Sequence, residues 1–267
     1  MSTVTFASDP QDAQAVEAVE AHHARLAGEL GGRVTLLIDA VDRDPASAED
    51  IRAGLVTFCE RELVPHALAE ESALYPAAHG TVEARLLIDG MLAEHRRIAE
   101  LVDALRTAPS PARAASDARA LQVLFEEHLS KENELVLPLI AASPDISLAE
   151  LLGGMHELLG GHAHLESEAE SEAEGEKSGG CGGGCGCGGS DEADVPELDA
   201  RAVPHALRHA TVFGALDAVA PGRAMVLVAP HDPLPLLRQV EARDPGVFRV
   251  EYVERGPETW RLLFTRR

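Results

Sequence analysis

Aromatic side chains are scarce in this chain of 267 residues, where Phe, Trp and Tyr together make up 3%. A core with so few rings must be filled by Leu, Val, Ile and Ala, which suits packed helices better than a β-sandwich. Basic residues are also in short supply: 23 Lys and Arg face 45 Asp and Glu, a formal charge of −22. Such a balance cannot neutralise a run of phosphates, so no nucleic acid partner is expected. It is equally unsuited to an anionic membrane face, and no stretch approaches the roughly 18 apolar residues of a spanning helix. The opening MSTVTFASDPQDAQ lacks the basic start and apolar run of a secretory signal. Only four cysteines are present, three of them crowded into one glycine-rich segment. They do not form a disulfide framework, and a cytoplasmic location is expected.

What is abundant is helical pattern. Four long helices are predicted over residues 11–141, broken at Asp44-Pro45, around His79-Gly80 and between Pro109 and Pro111. Pro, Gly and capping Asp or Ser at these places stop one helix and start the next. Short connections between long helices make neighbours antiparallel, so the expected fold is an all-α four-helix up-down bundle. A shorter helix from Leu148 to Leu159 completes a first domain at 11–159. Residues 160–196, acidic and rich in Gly and Cys, cannot bury enough apolar surface to order themselves, and a flexible linker is expected there. It is long enough for the flanking domains to touch or to stay apart.

The remainder, 197–267, changes character. A short strand at Leu198–Ala202 precedes a helix from Pro204 to Val219, with Pro at its first position. The β-rich run AMVLVAP follows, then a helix capped by Asp232, entered through Pro233 and ending near Arg243. VFRVEYVERG and TWRLLFTRR close the chain around a Gly-Pro turn. The order β-α-β-α-β-β describes a small α/β two-layer sandwich.

Each bundle helix places metal-capable side chains inside its apolar stripe. The stripes, at spacings of three and four, run Val16, Val19, His23, Leu26, Leu30; Leu55, Cys59, Leu63, His66, Glu70, Leu74; Ile88, Met91, His95, Ile98, Val102, Leu105; and Leu121, Leu124, His128, Glu132, Leu135. Burying four His and two Glu without partners would cost about 1–3 kcal/mol for each even if neutral. A metal cluster compensates all six at once, with imidazoles as neutral nitrogen ligands and carboxylates as the negative charge. His66-x3-Glu70 and His128-x3-Glu132 each stack one turn apart on one helix face. Each carboxylate can then bridge two metals while its own histidine binds one, and His23 and His95 close the two ends. A nitrogen/oxygen set of this kind suits iron or manganese. His22 is the rival to His23, with heptad spacing favouring His23. Around this set, Glu71 and Glu134 read as solvated surface, Cys59 as a small apolar filler, Tyr75 as packing and His79 as a loop residue facing water.

Over about residues 15–142 the pattern resembles the hemerythrin HHE cation-binding family, through HALAEESALYP (66–76) and the parallel HLSKENELVLP (128–138). The resemblance implies a non-haem di-iron centre, bridged by oxo and carboxylate groups, with ligands at His23, His66, Glu70, His95, His128 and Glu132. Oxygen-carrying hemerythrins use a fifth histidine that is not found here. The four-histidine set is similar instead to di-iron proteins implicated in iron-sulfur-cluster repair and nitric oxide stress. The expected function is therefore to bind or reduce O2, NO or peroxide, in nitrosative or oxidative stress or in iron-sulfur maintenance; an enzyme of this kind would be a di-iron oxidoreductase. The alternative is a non-enzymatic iron or oxygen sensor, or an O2 store, signalling through the C-terminal domain.

Two further groups are candidates. Cys181, Cys185 and Cys187, with His162 and His164 nearby in sequence, form a possible soft-metal site, weighed against incidental thiols in a glycine linker. The C-terminal domain resembles the domain of unknown function family 2249 through LDARAV, RHATVFGALDAVAPG, HDPLPL and the final Pro-Glu-Thr-Trp. That family is similar in fold to the TusA-like sulfur carriers, which keep a nucleophilic cysteine at the first strand-helix junction. Here Ala200 to Pro204 holds none, so sulfur transfer is not expected. Arg208, His209, His231 and Asp232 are this domain's own candidates, with a helix cap the plainer reading of Asp232.

Overall fold

The computed structural model describes residues 9–80, 82, 84–158 and 195–267. Helix α1 (Pro10–Arg43) opens with Asp9, whose carboxylate accepts from the Gln11 N–H at 2.7 Å, and with Pro10 at its first position. Asp44 both ends α1 and caps α2 (residues 45–79), accepting from the Ser47 N–H at 3.1 Å. Helix α3 (Arg85–Arg106) returns along the bundle. Helix α4 (residues 111–141) starts at Pro111 behind the cap Ser110. Helix α5 (Leu148–Leu158) closes one end of the bundle: the buried Asp12 of α1 accepts from the Ala149 N–H at 3.0 Å.

Helices α2 and α4 are not regular. Three of their turns widen to π-type: Cys59–Leu63, Glu70–Leu74 and Glu132–Val136. In each case a proline follows at the second residue after the turn, namely Pro65, Pro76 and Pro138. Proline has no N–H to give, and its ring clashes with the carbonyl four residues back; a wide turn upstream relieves both problems without ending the helix. The N–H of Tyr75 accordingly bonds the Glu70 carbonyl, and that of Leu137 the Glu132 carbonyl. The extra residue also rotates what comes after it. Leu135, expected on the inner face, is 50% exposed, and Val136 and Leu137 are buried instead. On α2 the same rotation buries Tyr75 beside Leu74.

The C-terminal unit is a four-stranded sheet in the order β1-β2-β4-β3, with β1 (Glu197–Asp199), β2 (Ala224–Ala229), β3 (Phe248–Arg255) and β4 (Trp260–Arg266). Strands β1 and β2 are parallel, joined by crossover helix α6 (His205–Ala218); β4 pairs antiparallel with both β2 and β3. The first strand is shorter than expected, and Pro204 is the cap of α6 rather than its first residue. Helix α7 (Leu234–Arg243) begins after Pro233, so Asp232 does not cap it. Its carboxylate accepts from the Tyr252 hydroxyl at 2.8 Å instead, because β3 lies within reach of the β2–α7 connection.

The two units share one core. Leu26, Leu30, Leu36 and Leu37 of α1 belong to the same buried cluster as Val212, Ala215, Met225 and Phe264. Helix α1 therefore has two covered faces, one in the bundle and one against α6. Glycine makes the second contact possible. A Cβ on Gly32 would stand 2.0 Å from the Thr211 carbonyl oxygen, and one on Gly214 2.3 Å from that of Glu29. Arg33, buried beside this seam, reaches Asp217 of α6 at 3.3 Å and lies over the Phe58 ring at 4.2 Å. At the border, the Glu197 N–H donates to Asp39 at 2.7 Å. Among the described residues, no helix is long and apolar enough to cross a membrane.

Candidate metal centre

Helices α1 to α4 bring His23, His66, Glu70, His95, His128 and Glu132 to one place in the bundle interior, none of them more than 5% exposed. Their donor atoms form two overlapping groups: His23, His66, Glu70 and Glu132, and Glu70, His95 and His128. Glu70 spans both. Its Oε1 lies 2.9 Å from His66 Nε2 and 3.6 Å from His23 Nε2, while its Oε2 is 3.4 Å from His95 Nε2. Glu132 Oε2 lies 3.7 Å from His23 Nε2 and 3.8 Å from His128 Nε2. Both carboxylates head a π-turn, a feature that recurs at functional sites.

The histidines are oriented from outside. His95 Nδ1 is 2.9 Å from Glu71 Oε1, His128 Nδ1 is 3.0 Å from Glu94 Oε2, and His23 Nδ1 is 2.7 Å from Asn133 Oδ1. Carboxylate and amide oxygens only accept, so each Nδ1 carries the proton and each Nε2 turns a lone pair inward, as metal-ligating imidazoles do. The pattern repeats between the halves of the bundle. The residue after each glutamate, Glu71 or Asn133, braces a histidine of another helix. The residue before His95, Glu94, braces His128; the residue before His23, His22, packs its ring 5.1 Å from that of His66. Glu71 is thus part of the site and not free surface. Asn133 and Glu94 were missed in the sequence, although their adjacency to the proposed ligands was the available signal.

Tyr75 also does more than pack. Its hydroxyl donates to Glu132 Oε1 at 2.7 Å and lies 3.3 Å from His128 Nε2 and 3.4 Å from His95 Nε2. Burial, and then the Glu132 and Glu70 carboxylates, push its pKa far above the ordinary tyrosine range, so the phenol is neutral. Burial pushes Glu132 up, and the neighbouring Glu70 adds to it. For Glu70 burial is outweighed by the attraction of His66 and by the close approach of His23 and His95, which hold it well below the usual value. His128 falls to about 4 through burial and the proximity of His95.

The residues fit a metal. His23 Nε2, His66 Nε2, Glu70 Oε2 and Glu132 Oε2 are buried without a hydrogen bond, a costly arrangement unless something else binds them. His95 Nε2 and His128 Nε2 stand 3.0 Å apart. Two nitrogens at right angles on one ion, with bonds of about 2.1 Å, are separated by about 3.0 Å.

The other candidates behave differently. His22 is outside both donor groups, with its Nδ1 3.4 Å from Arg25, which favours His23 as the inward histidine. Cys59 is fully buried, its thiol pushed up to about 12 by burial, consistent with a filler. His79 ends α2, half-exposed and 3.1 Å from Asp89. Glu134 is an exposed partner of Ser130. In the C-terminal domain, Arg208 donates to the Val203 carbonyl at 3.0 Å. His231 is exposed with Nδ1 3.3 Å from the Asp232 carbonyl, His209 is exposed on α6, and no metal-capable group of the described residues includes either or Asp232. Cys181, Cys185, Cys187, His162 and His164 lie outside the described residues.

Comparison with known families matches residues 14–140 to the hemerythrin HHE cation binding domain and residues 197–266 to an uncharacterized conserved protein family, DUF2249. No curated protein and no solved structure matches the chain.

Proposed function

We propose, since residues 14–140 match the hemerythrin HHE cation binding domain and residues 197–266 match DUF2249, that the bundle holds two iron ions and binds or reduces a small molecule, O2, NO or peroxide, in nitrosative or oxidative stress or in iron-sulfur maintenance. The observation that carries this reading is the set of buried, unpaired donor atoms on His23, His66, Glu70 and Glu132, continued by the His95–His128 pair. His23 and His66 would hold one ion and His95 and His128 the other, with Glu70 and Glu132 between them. Iron in this pocket would supply redox electrons and exchangeable coordination positions. The chain supplies the rest. Glu71, Glu94 and Asn133 fix three imidazoles in the tautomer that presents Nε2, and the Leu- and Ile-rich walls above and below the site keep bulk water out.

The test is metal analysis of the purified full chain beside Glu70→Ala and Glu132→Ala. The parent should carry about two irons per chain, the number of ions that the two donor groups accommodate, and each variant should lose most of them. Full iron loading in both variants would show that the ligand set is wrong.

A further inference from the structure

The two ligand stretches of the bundle run in parallel. Each has a histidine, a glutamate four residues later that heads a π-turn, and a proline six residues after the glutamate, Pro76 or Pro138. At the fifth residue after the glutamate, Tyr75 in α2 and Leu137 in α4, both side chains are buried but only one carries a hydroxyl. A leucine satisfies the packing at that position, so packing does not call for a hydroxyl on the other side. Yet the Tyr75 hydroxyl is aimed at the centre. It lies 3.3 Å and 3.4 Å from the Nε2 atoms of His128 and His95, and 2.7 Å from Glu132 Oε1. The ring is fixed there, stacked on His95 with centroids 5.3 Å apart and planes at 19°. The group it faces is the smaller of the two, with Glu70, His95 and His128 against His23, His66, Glu70 and Glu132.

We propose that Tyr75 is a further protein ligand of the centre, its phenol oxygen completing the subsite of His95 and His128. The inference rests on the iron reading above. Ligation of ferric iron exchanges the phenol O–H bond for an O–iron bond; the proton leaves on a water or hydroxide that the ion sheds, and no electron moves. A bound cation reverses the electrostatics that keep the group neutral, as it does for a coordinating thiol.

The experiment is resonance Raman and visible spectroscopy of the iron-loaded, air-oxidised full chain, with iron content measured on the same samples. The chain has two tyrosines, so Tyr75→Phe and Tyr252→Phe together account for any signal. The parent and Tyr252→Phe should show a phenolate-to-iron charge-transfer band with tyrosinate ring modes. Tyr75→Phe should lose both while keeping its iron. If Tyr75→Phe loads poorly, the parent and Tyr252→Phe spectra still decide. An iron-loaded parent without tyrosinate modes, or modes that vanish in Tyr252→Phe or survive in Tyr75→Phe, overturn the proposal while leaving the iron reading intact. A parent that binds no iron overturns both.

Discussion

Replacing Gly32 by alanine tests the seam between the two domains, because two opposing effects can be weighed there. In an open helix interior, Gly→Ala stabilises by about 1 kcal/mol, as the methyl restricts the unfolded chain at no cost. Gly90 on α3 is such a site, where an added methyl carbon would meet nothing within 4 Å. At Gly32 the same methyl would lie 2.0 Å from the Thr211 carbonyl oxygen and 2.8 Å from the Ala215 nitrogen. These are backbone atoms of α6, so no side chain can yield; α6 itself must move off α1. Overpacking of this kind costs about 1–3 kcal/mol. Gly32→Ala should therefore fall to or below the parent and Gly90→Ala should rise above it, a separation of about 1–3 kcal/mol between the two variants. In a chain of this size that corresponds to a difference of at least about 2 °C in Tm. Thermal and urea unfolding of both variants beside the parent provide the measurement. If Gly32→Ala gains stability as Gly90→Ala does, the close approach of α1 and α6 does not exist in solution.

Two more outcomes follow from the surroundings of the centre. Glu71→Ala removes the acceptor of the His95 Nδ1–H, 2.9 Å away, and should weaken metal affinity by about 10- to 100-fold, read by competition with a chelator; Glu134→Ala, on the exposed side of α4, should leave it unchanged. His22 is pushed down to about 3 by burial and then by His66, Arg25 and His23, so it is neutral in the fold and takes up a proton in the unfolded chain below about pH 6.5. Its contribution to stability is present above that pH and is lost as pH falls toward 3. The Tm of the metal-free His22→Gln variant should then drop less steeply between pH 6.5 and 4 than that of the parent; equal slopes would refute the assignment.

Much of the site was legible because a helix converts spacing directly into direction. Residues three or four apart share a face, so His66 with Glu70 and His128 with Glu132 announce themselves, and the family resemblance rests on the same stretches. The outer partners were harder to see. Glu71 and Asn133 sit one residue past a glutamate, where helical spacing points a side chain away from its neighbour's target. They serve the site by reaching a histidine on a different helix, which no single-helix pattern records. Leu135 was misplaced for a related reason: the stripe assumes 3.6 residues per turn throughout, and the π-turn at Glu132–Val136 breaks that count. Pro138 was the visible cue. Asp232 before Pro233 matched a cap in its local chemistry, but a tertiary partner, the Tyr252 hydroxyl, took its carboxylate.

By itself the sequence determined the helical bundle, the α/β unit behind it and the residues able to bind a metal, since each follows from local periodicity and side-chain chemistry. The tertiary structure alone decided that Tyr75 faces the His95–His128 pair, that three imidazoles are braced from neighbouring helices, and that the second domain is seated on α1 through Gly32 and Gly214. These are contacts between segments far apart in the chain. Their geometry depends on how helices turn and approach one another, and a glycine, a proline-driven π-turn or a buried phenol acquires its role only once that approach is made.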